Sequence, residues 1–445
     1  MVSLPSRAAL ALSIIALLAD TATAQLLPNL PRVQLPPVGG PSGATLPVFG
    51  STLQDLLGQT ETRQVVQPTL DSVAGLPPAL ADAGSSTLLE LRRLRLRELV
   101  RQNSRELETD TLGQPVRRGV LVVLDPDGSS LQQALRGGFR IVADEQPGNL
   151  GLRMVTLAIP RGLNARKGLE RLKSLSPRLE ADFDHVFEPA GGSLLPYAGT
   201  LAAAQAGGGE LRLGMIDGGV ASHPSLANAS IEQSGFAGSP QPTGHGTAVA
   251  SLLVGNHGPF RGAARGASLL VADVYGGSRA AGSATAVVRA LGWLTLKRAS
   301  VINISLVGPQ NRLLARAIQA VRARGVGIVA AVGNDGPAAP PQYPASYPGV
   351  LAITGVDARG RALPEAGKAT HLDFAAPGAD MAAALPGQGY AKVRGTSFAA
   401  PLAAARLALA GAQRLAGEAT PGRGRVGRGI LCGTCRVDPK VLRVK

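Results

Sequence analysis

The chain has 445 residues, 45% of them apolar, 17% charged and 3% aromatic, with 57 Gly and 33 Pro. At roughly 150 residues per domain it can form about three segments and bury a sizeable core, which excludes a purely disordered or fibrous protein. The net charge of +15 is uneven: residues 1–190 hold 20 Lys/Arg and 19 Asp/Glu, a net of +1, and residues 191–445 hold 25 and 11, a net of +14. The excess reads as an Arg-rich composition, and an anionic envelope surface stays open as a partner. Nucleic acid is not expected, because neither a clustered basic stripe nor stacking aromatics accompany the charge.

The first 24 residues read as a secretory signal. Arg7 precedes an apolar run from Ala8 to Leu18, and Ala22-Thr23-Ala24 fits a small-x-small cleavage site. The run is too short to span a bilayer as a helix, and no later stretch reaches eighteen apolar residues. A soluble protein without a transmembrane anchor, secreted or periplasmic, is therefore expected. Residues 25–85 are rich in Pro, Gly, Ser and Thr and read as a linker.

From Ser86, Leu88, Leu91, Leu96 and Leu99 recur among Arg and Glu at near-helical spacing. An apolar run at 119–125 follows, then a helical SSLQQALRGGF, an extended LRMVTLAIP at 152–160, a helical NARKGLERLKSL and a short strand DHVFEP. This β-α-β-α-β order predicts a small α/β sandwich of split βαβ type within residues 86–190, led by the helix.

Residues 191–420 alternate apolar strands with helix-length segments. LRLGMID, SLLVADVYG, SVINISL, GVGIVAAVGN and GVLAITGVD read as strands. GHGTAVASLLVG, AGSATAVVRALGWLTLKR, RLLARAIQAVRARG and RGTSFAAPLAAARLALAGAQRL read as helices. The pattern predicts an α/β fold with a doubly wound, mostly parallel sheet, whose chemistry gathers at the C-terminal strand ends. Residues 421–445 form a basic tail with one C-x-x-C, Cys432 and Cys435, which in an exported protein reads as a local disulfide.

Three residues fall where such a sheet puts its chemistry. Asp217 ends a strand in GMIDGG, His245 opens a helix in GHGT, and Ser397 opens another in GTSFAAP, where the helix N-terminus favours developing negative charge. Taken singly, these are a turn residue, a structural histidine and an N-cap. Together they supply an orienting carboxylate, a base and a nucleophile, the minimum set for acyl transfer through a covalent intermediate.

GMIDGGV, GHGTAVAS and GTSFAAP closely resemble the three signature stretches of the subtilisin-like serine proteases, and VINISL and AAVGNDGP resemble two further ones. The resemblance covers about residues 200–415. It implies an exported serine endopeptidase made as a zymogen, with a triad of Asp217, His245 and Ser397. It also implies an oxyanion site formed by the Asn334 side chain and the Ser397 backbone N–H, and a peptide or protein substrate without a cofactor. The α/β segment before it resembles the family's propeptide, an intramolecular chaperone and inhibitor, so cutting is expected between about Glu188 and Leu201. By the same resemblance Ser305, Leu306 and Val307 form one wall of the substrate pocket and Ala331, Val332 and Gly333 the other. Val307 and Gln342 stand where the family often has Gly, which predicts a narrowed pocket unless Gln342 swings to solvent.

Two departures bear on the site. Gly218 replaces the usual Ser or Thr after the Asp and is expected to loosen the hydrogen bonding of Asp217. Ser225 stands where many members carry an Asp calcium ligand, so no metal site is expected, and His223 and His257 read as structural. The alternative to a protease is a non-catalytic pseudoprotease that binds the envelope through its basic surface. An esterase is disfavoured because the chain has no Gly-x-Ser-x-Gly elbow.

Overall fold

A computed structural model describes residues 85–191, 211–387 and 389–444. The expected signal, nearly all of the linker and most of the expected cutting region lie outside the described residues.

Helix α1, Ser85–Gln102, opens the described chain. A four-stranded antiparallel sheet follows, built from β1 (Val120–Leu124), β2 (Arg140–Glu145), β3 (Met154–Ala158) and β4 (Glu180–Asp182) in the order β2-β3-β1-β4. Helices α2 (Gly128–Arg136) and α3 (Ala165–Leu175) cover one face. Each starts at a side-chain cap: Asp127 accepts from the Ser130 N–H and Asn164 from the Lys167 N–H. Alternation along the strands decides what each face meets. Leu121, Val123, Val155 and Leu157 pack under the two helices, while Val122, Leu124 and Met154 join the core of the larger unit behind the sheet.

Two details differ from the sequence reading. Strand β2 was not anticipated, since its residues are mostly exposed and give no apolar alternation. The last strand of the sheet is Glu180–Asp182 rather than DHVFEP. Within DHVFEP, β5 (Glu188–Pro189) leaves this sheet and pairs antiparallel with Leu306–Val307 of the larger unit.

That unit is built on a seven-stranded, all-parallel sheet. Its strands are β6 (Arg212–Asp217), β7 (Ile231–Gly235), β8 (Ser268–Asp273), β9 (Val301–Ile304), β11 (Gly327–Ala331), β12 (Leu351–Val356) and β13 (Phe374–Pro377). The short strand β10, Leu306–Val307, lies outside it. The order is β13-β12-β11-β9-β6-β8-β7, a doubly wound arrangement. Helices α4 (Gly244–Val254) and α7 (Thr396–Ala410) fill one face, and α5 (Ala284–Leu296) and α6 (Arg312–Ala323) the other. Met215 and Ile216 of β6 face opposite cores, as a strand buried on both sides requires.

The edge strands β7 and β13 were not anticipated. The single helix expected from RGTSFAAP to AGAQRL is two helices, because Gly411 has φ +77° and ends the first. Cys432 and Cys435 are joined by a disulfide, and the tail runs beside β13, where the Leu431 N–H donates to the Ala375 carbonyl over 2.8 Å.

The small sheet sits on α5 and α6 through two carboxylates at helix N-termini. Asp182 accepts from the Arg312 N–H at 2.8 Å, and Asp184 accepts from the Thr285 N–H at 3.0 Å and its hydroxyl at 2.9 Å. Burial raises the Asp184 pKa, partly offset by those Thr285 bonds. Replacing Asp184 by Ala leaves the Thr285 N–H unpaired and should lower the stability of the uncut protein by about 1–3 kcal/mol. An unchanged melting temperature would contradict this.

Candidate active site

The C-terminal ends of β6, β9 and β11 and the N-termini of α4 and α7 converge on one place. Asp217 is the last residue of β6 and His245 the second of α4, and both side chains are fully buried. His245 Nδ1 lies 2.9 Å from each Asp217 carboxylate oxygen. Ser397 is the second residue of α7 and is also fully buried.

His245 Nε2 and Ser397 Oγ have no hydrogen-bond partner among the described residues. Such orphaned polar atoms are uncommon in a folded core; Asn303 Oδ1 and Gln342 Oε1 share this state, and His245 and Ser397 are the two that the sequence singled out as base and nucleophile. By contrast Asp273, opposite Asp217 on the neighbouring strand, accepts from the N–H groups of Gln241, Tyr275 and Gly276 and is spent on loop geometry.

The Gly218 N–H donates to Asp217 at 2.7 Å. The space a side chain at 218 would need is taken by Thr243, whose Oγ1 would stand 2.5 Å from a Cβ there. Thr243 caps α4 through the Gly246 N–H at 3.0 Å. Its bulk thus fills the space a residue at 218 would occupy, and Asp217 keeps a backbone donor despite Gly218.

Asn334 follows β11 and is oriented by its own oxygen, which accepts from the Thr396 N–H at 2.9 Å. This turns the amide NH2 toward the chain's own segment 188–191, where it donates to the Ala190 carbonyl. The Ala190 N–H donates to the Ser305 carbonyl at 2.8 Å, and Pro189 and Glu188 pair with Leu306 and Val307. The next residue, Gly191, has φ +150°, and a Cβ there would lie 2.5 Å from Asn334 Nδ2 and 3.4 Å from Ser397 Oγ. Only glycine fits both the conformation and the space.

Val307 and Gln342 converge on Gly333, 3.1 Å and 3.5 Å from where its Cβ would be. Gln342 is 1% exposed, and its amide donates to the Pro340 carbonyl at 2.7 Å, so it does not swing to solvent. Ala331 ends β11 and Val332 follows it, and both are buried, one in each of the two cores that flank the sheet.

The sequence reading missed four contributors. The Tyr275 hydroxyl donates to the Phe187 carbonyl at 3.1 Å, and the Gly282 carbonyl accepts from the Phe187 N–H at 2.7 Å. Arg279 reaches Glu188 at 3.4 Å, and Asp335 binds Arg92 and Arg95 of α1 at 3.1 Å and 3.0 Å. Tyr275, Arg279 and Gly282 belong to the glycine-rich loop YGGSRAAG, which carries no motif of its own, whereas Asp335 follows Asn334 in AAVGNDGP and gave no separate signal.

His223 caps a short turn, with Nδ1 2.8 Å from Ser225 Oγ and Nε2 2.9 Å from the Gly389 carbonyl, while His257 is exposed. Burial lowers the His223 pKa. Ser225 therefore offers calcium a hydroxyl engaged with an imidazole and no carboxylate, a donor set that does not fit a hard cation.

The doubly wound parallel sheet, with Asp217, His245 and Ser397 near its C-terminal strand ends, is the architecture of subtilisin-like proteins. Residues 208–421 match the model of the Subtilase family, Peptidase S8. The chain is 33% identical over 208 residues to Subtilisin Savinase of Lederbergia lenta, covering 45% of this chain and 76% of that protein. It is 32% identical over 219 residues to the Major intracellular serine protease of Bacillus subtilis (strain 168), covering 45% and 68%. The fold also resembles fervidolysin from Fervidobacterium pennivorans, a keratinolytic enzyme related to subtilisin, with a TM-score of 0.60, 20% identity, and coverage of 74% of this chain and 62% of that one. The chain belongs to the subtilase family and is a serine protease.

The packing at Gly218 makes a test. Gly218→Ala should cost about 1–3 kcal/mol through the clash with Thr243, and adding Thr243→Gly should return part of that despite the lost cap. Additive losses in melting experiments would contradict the proposed filling of the space by Thr243.

Proposed function

We propose that the chain is an exported serine endopeptidase, made as a zymogen, that cuts itself between Ala190 and Gly191. The observation that carries this is the Ala190 carbonyl resting on the Asn334 amide while its N–H is held by Ser305. On this reading Ser397 Oγ attacks the Ala190 carbonyl carbon. His245 Nε2 takes the hydroxyl proton, and Asp217 holds the imidazole through Nδ1 and stabilises its charge. The Asn334 amide and the Ser397 backbone N–H meet the oxyanion. Collapse breaks the C–N bond, the proton passes from His245 to the Gly191 amine, and Ala190 is left as an ester on Ser397. Water then releases it as a carboxylate, with the same base taking the proton.

Residues 86–190 act as propeptide in this scheme, both chaperone and inhibitor, and residues 191–445 as the mature enzyme. The N-terminal sequence, Arg7 followed by the apolar run and Ala-Thr-Ala, supports export to the periplasm or medium. Substrates are peptides or proteins with a small residue before the cut, as supported by Ala190 and by Val307 and Gln342 closing on Gly333.

Ser397→Ala should accumulate uncut, and the wild type should yield a form whose N-terminal residue is Gly191. Normal maturation of Ser397→Ala in a host without other proteases would overturn self-processing. Gln342→Gly should shift cleavage of a peptide library toward Phe and Tyr before the cut. A wild type that already cuts mainly after those residues would remove the narrowed pocket. Adding a chelator should leave the melting temperature of the mature form nearly unchanged, and a large fall would reveal a metal the loop chemistry does not account for.

A further inference from the structure

In the uncut chain Glu188 stands third before the Ala190–Gly191 bond, with a side chain 6% exposed. Burial opposes its charge, but the guanidinium groups of Arg95 and Arg279 outweigh this and hold the carboxyl below the ordinary range. These partners lie on opposite sides of the cut. Arg95, 3.2 Å from Glu188, belongs to α1 and would leave with the N-terminal segment. Arg279, at 3.4 Å, belongs to the loop that also holds the Phe187 backbone through Tyr275 and Gly282. A substrate laid along Leu306–Val307 as residues 188–189 are would present its third side chain to Arg279 without competition from α1.

We propose that Arg279 is a specificity-determining residue of the mature enzyme, selecting peptides with a carboxylate three residues before the cleaved bond. The proposal rests on reading Ala190–Gly191 as the scissile bond. A guanidinium offers a planar fork that matches a carboxylate, whereas a lysine side chain there meets like charge. Asp335 stays with the enzyme too. In the uncut chain it shares Arg95 with Glu188, so once α1 has gone it works against an incoming acid. The two groups therefore pull in opposite directions: Arg279 sets the preference and Asp335 limits its size.

The test uses the matured wild type and fluorogenic peptides Phe-Xaa-Pro-Ala with the reporter after Ala and Xaa as Glu, Gln or Lys. The expected order of kcat/KM is Glu over Gln by about three- to tenfold, with Lys lowest. R279Q should bring Glu and Gln together, R279K should restore part of the gap, and D335N should widen the gap between Glu and Lys. The preference should shrink in 0.5 M salt, roughly a Debye length of a few Å. Equal cleavage of Glu and Gln peptides by the wild type, or a preference that survives in R279Q, overturns the proposal and leaves the protease reading standing. If none of the three peptides is cut faster than by Ser397→Ala, the assignment of the site itself fails, and this inference with it.

Discussion

The site depends on how one carboxamide is held. Asn334 has its oxygen committed to the Thr396 N–H, so its NH2 can point only toward the space filled by the Ala190 carbonyl. Reversing the amide would set donor against donor at one end and acceptor against acceptor at the other, with desolvated groups left unpaired on both sides. Thr396 immediately precedes Ser397 at the start of α7, and its hydroxyl lies between the Gly333 N–H and carbonyl, 3.1 Å and 3.2 Å away. The end of β11 and the start of α7 are thereby locked together, and the amide donor and the serine hydroxyl move as one body. Such a donor needs little reorganisation when charge develops, which is the condition for electrostatic stabilisation of an acyl-transfer transition state.

The segment across this site is held from several directions at once. Pro189 and Glu188 add a short strand to Leu306–Val307, Phe187 is bonded through its backbone to Tyr275 and Gly282, and Asp182 and Asp184 sit at two helix N-termini. Arg92 and Arg95 of α1 add a clamp on Asp335, next to Asn334. Cutting at Ala190 would remove only the covalent link to Gly191 and leave all these contacts in place, so the released piece would remain a competitor for the cleft. On the proposed function, the same contacts would let this segment both guide folding and block the cleft.

Much of the frame was legible because its signals are strong. Strands buried on both faces, such as Ser268–Asp273, read as unbroken apolar runs, and Asp217 at a strand end and His245 and Ser397 at helix starts stand out as polar residues close to glycines. Less was legible at the margins. Arg140–Glu145 is an exposed edge strand whose pairing depends on its neighbour rather than on its own pattern. DHVFEP has strand composition, but which sheet it joins is decided by tertiary contact. The effect of Gly218 also escaped a local reading, because Thr243, which takes up the space, lies 25 positions further along the chain. Arg279 and Asp335 are ordinary surface-type residues in sequence and acquire meaning only beside Glu188 and α1.

The central claim is that Ser397 is the nucleophile and that the chain's own residues up to Ala190 cover it until they leave. The most direct measurement is mass-spectrometric mapping of a fluorophosphonate adduct on the wild-type protein, comparing the free form that begins at Gly191 with the same form held by an excess of the released segment that ends at Ala190. The account predicts one adduct, on the peptide carrying Ser397, formed rapidly in the first and at least tenfold more slowly in the second. An adduct on another serine, or equal labelling of Ser397 in both forms, would contradict it.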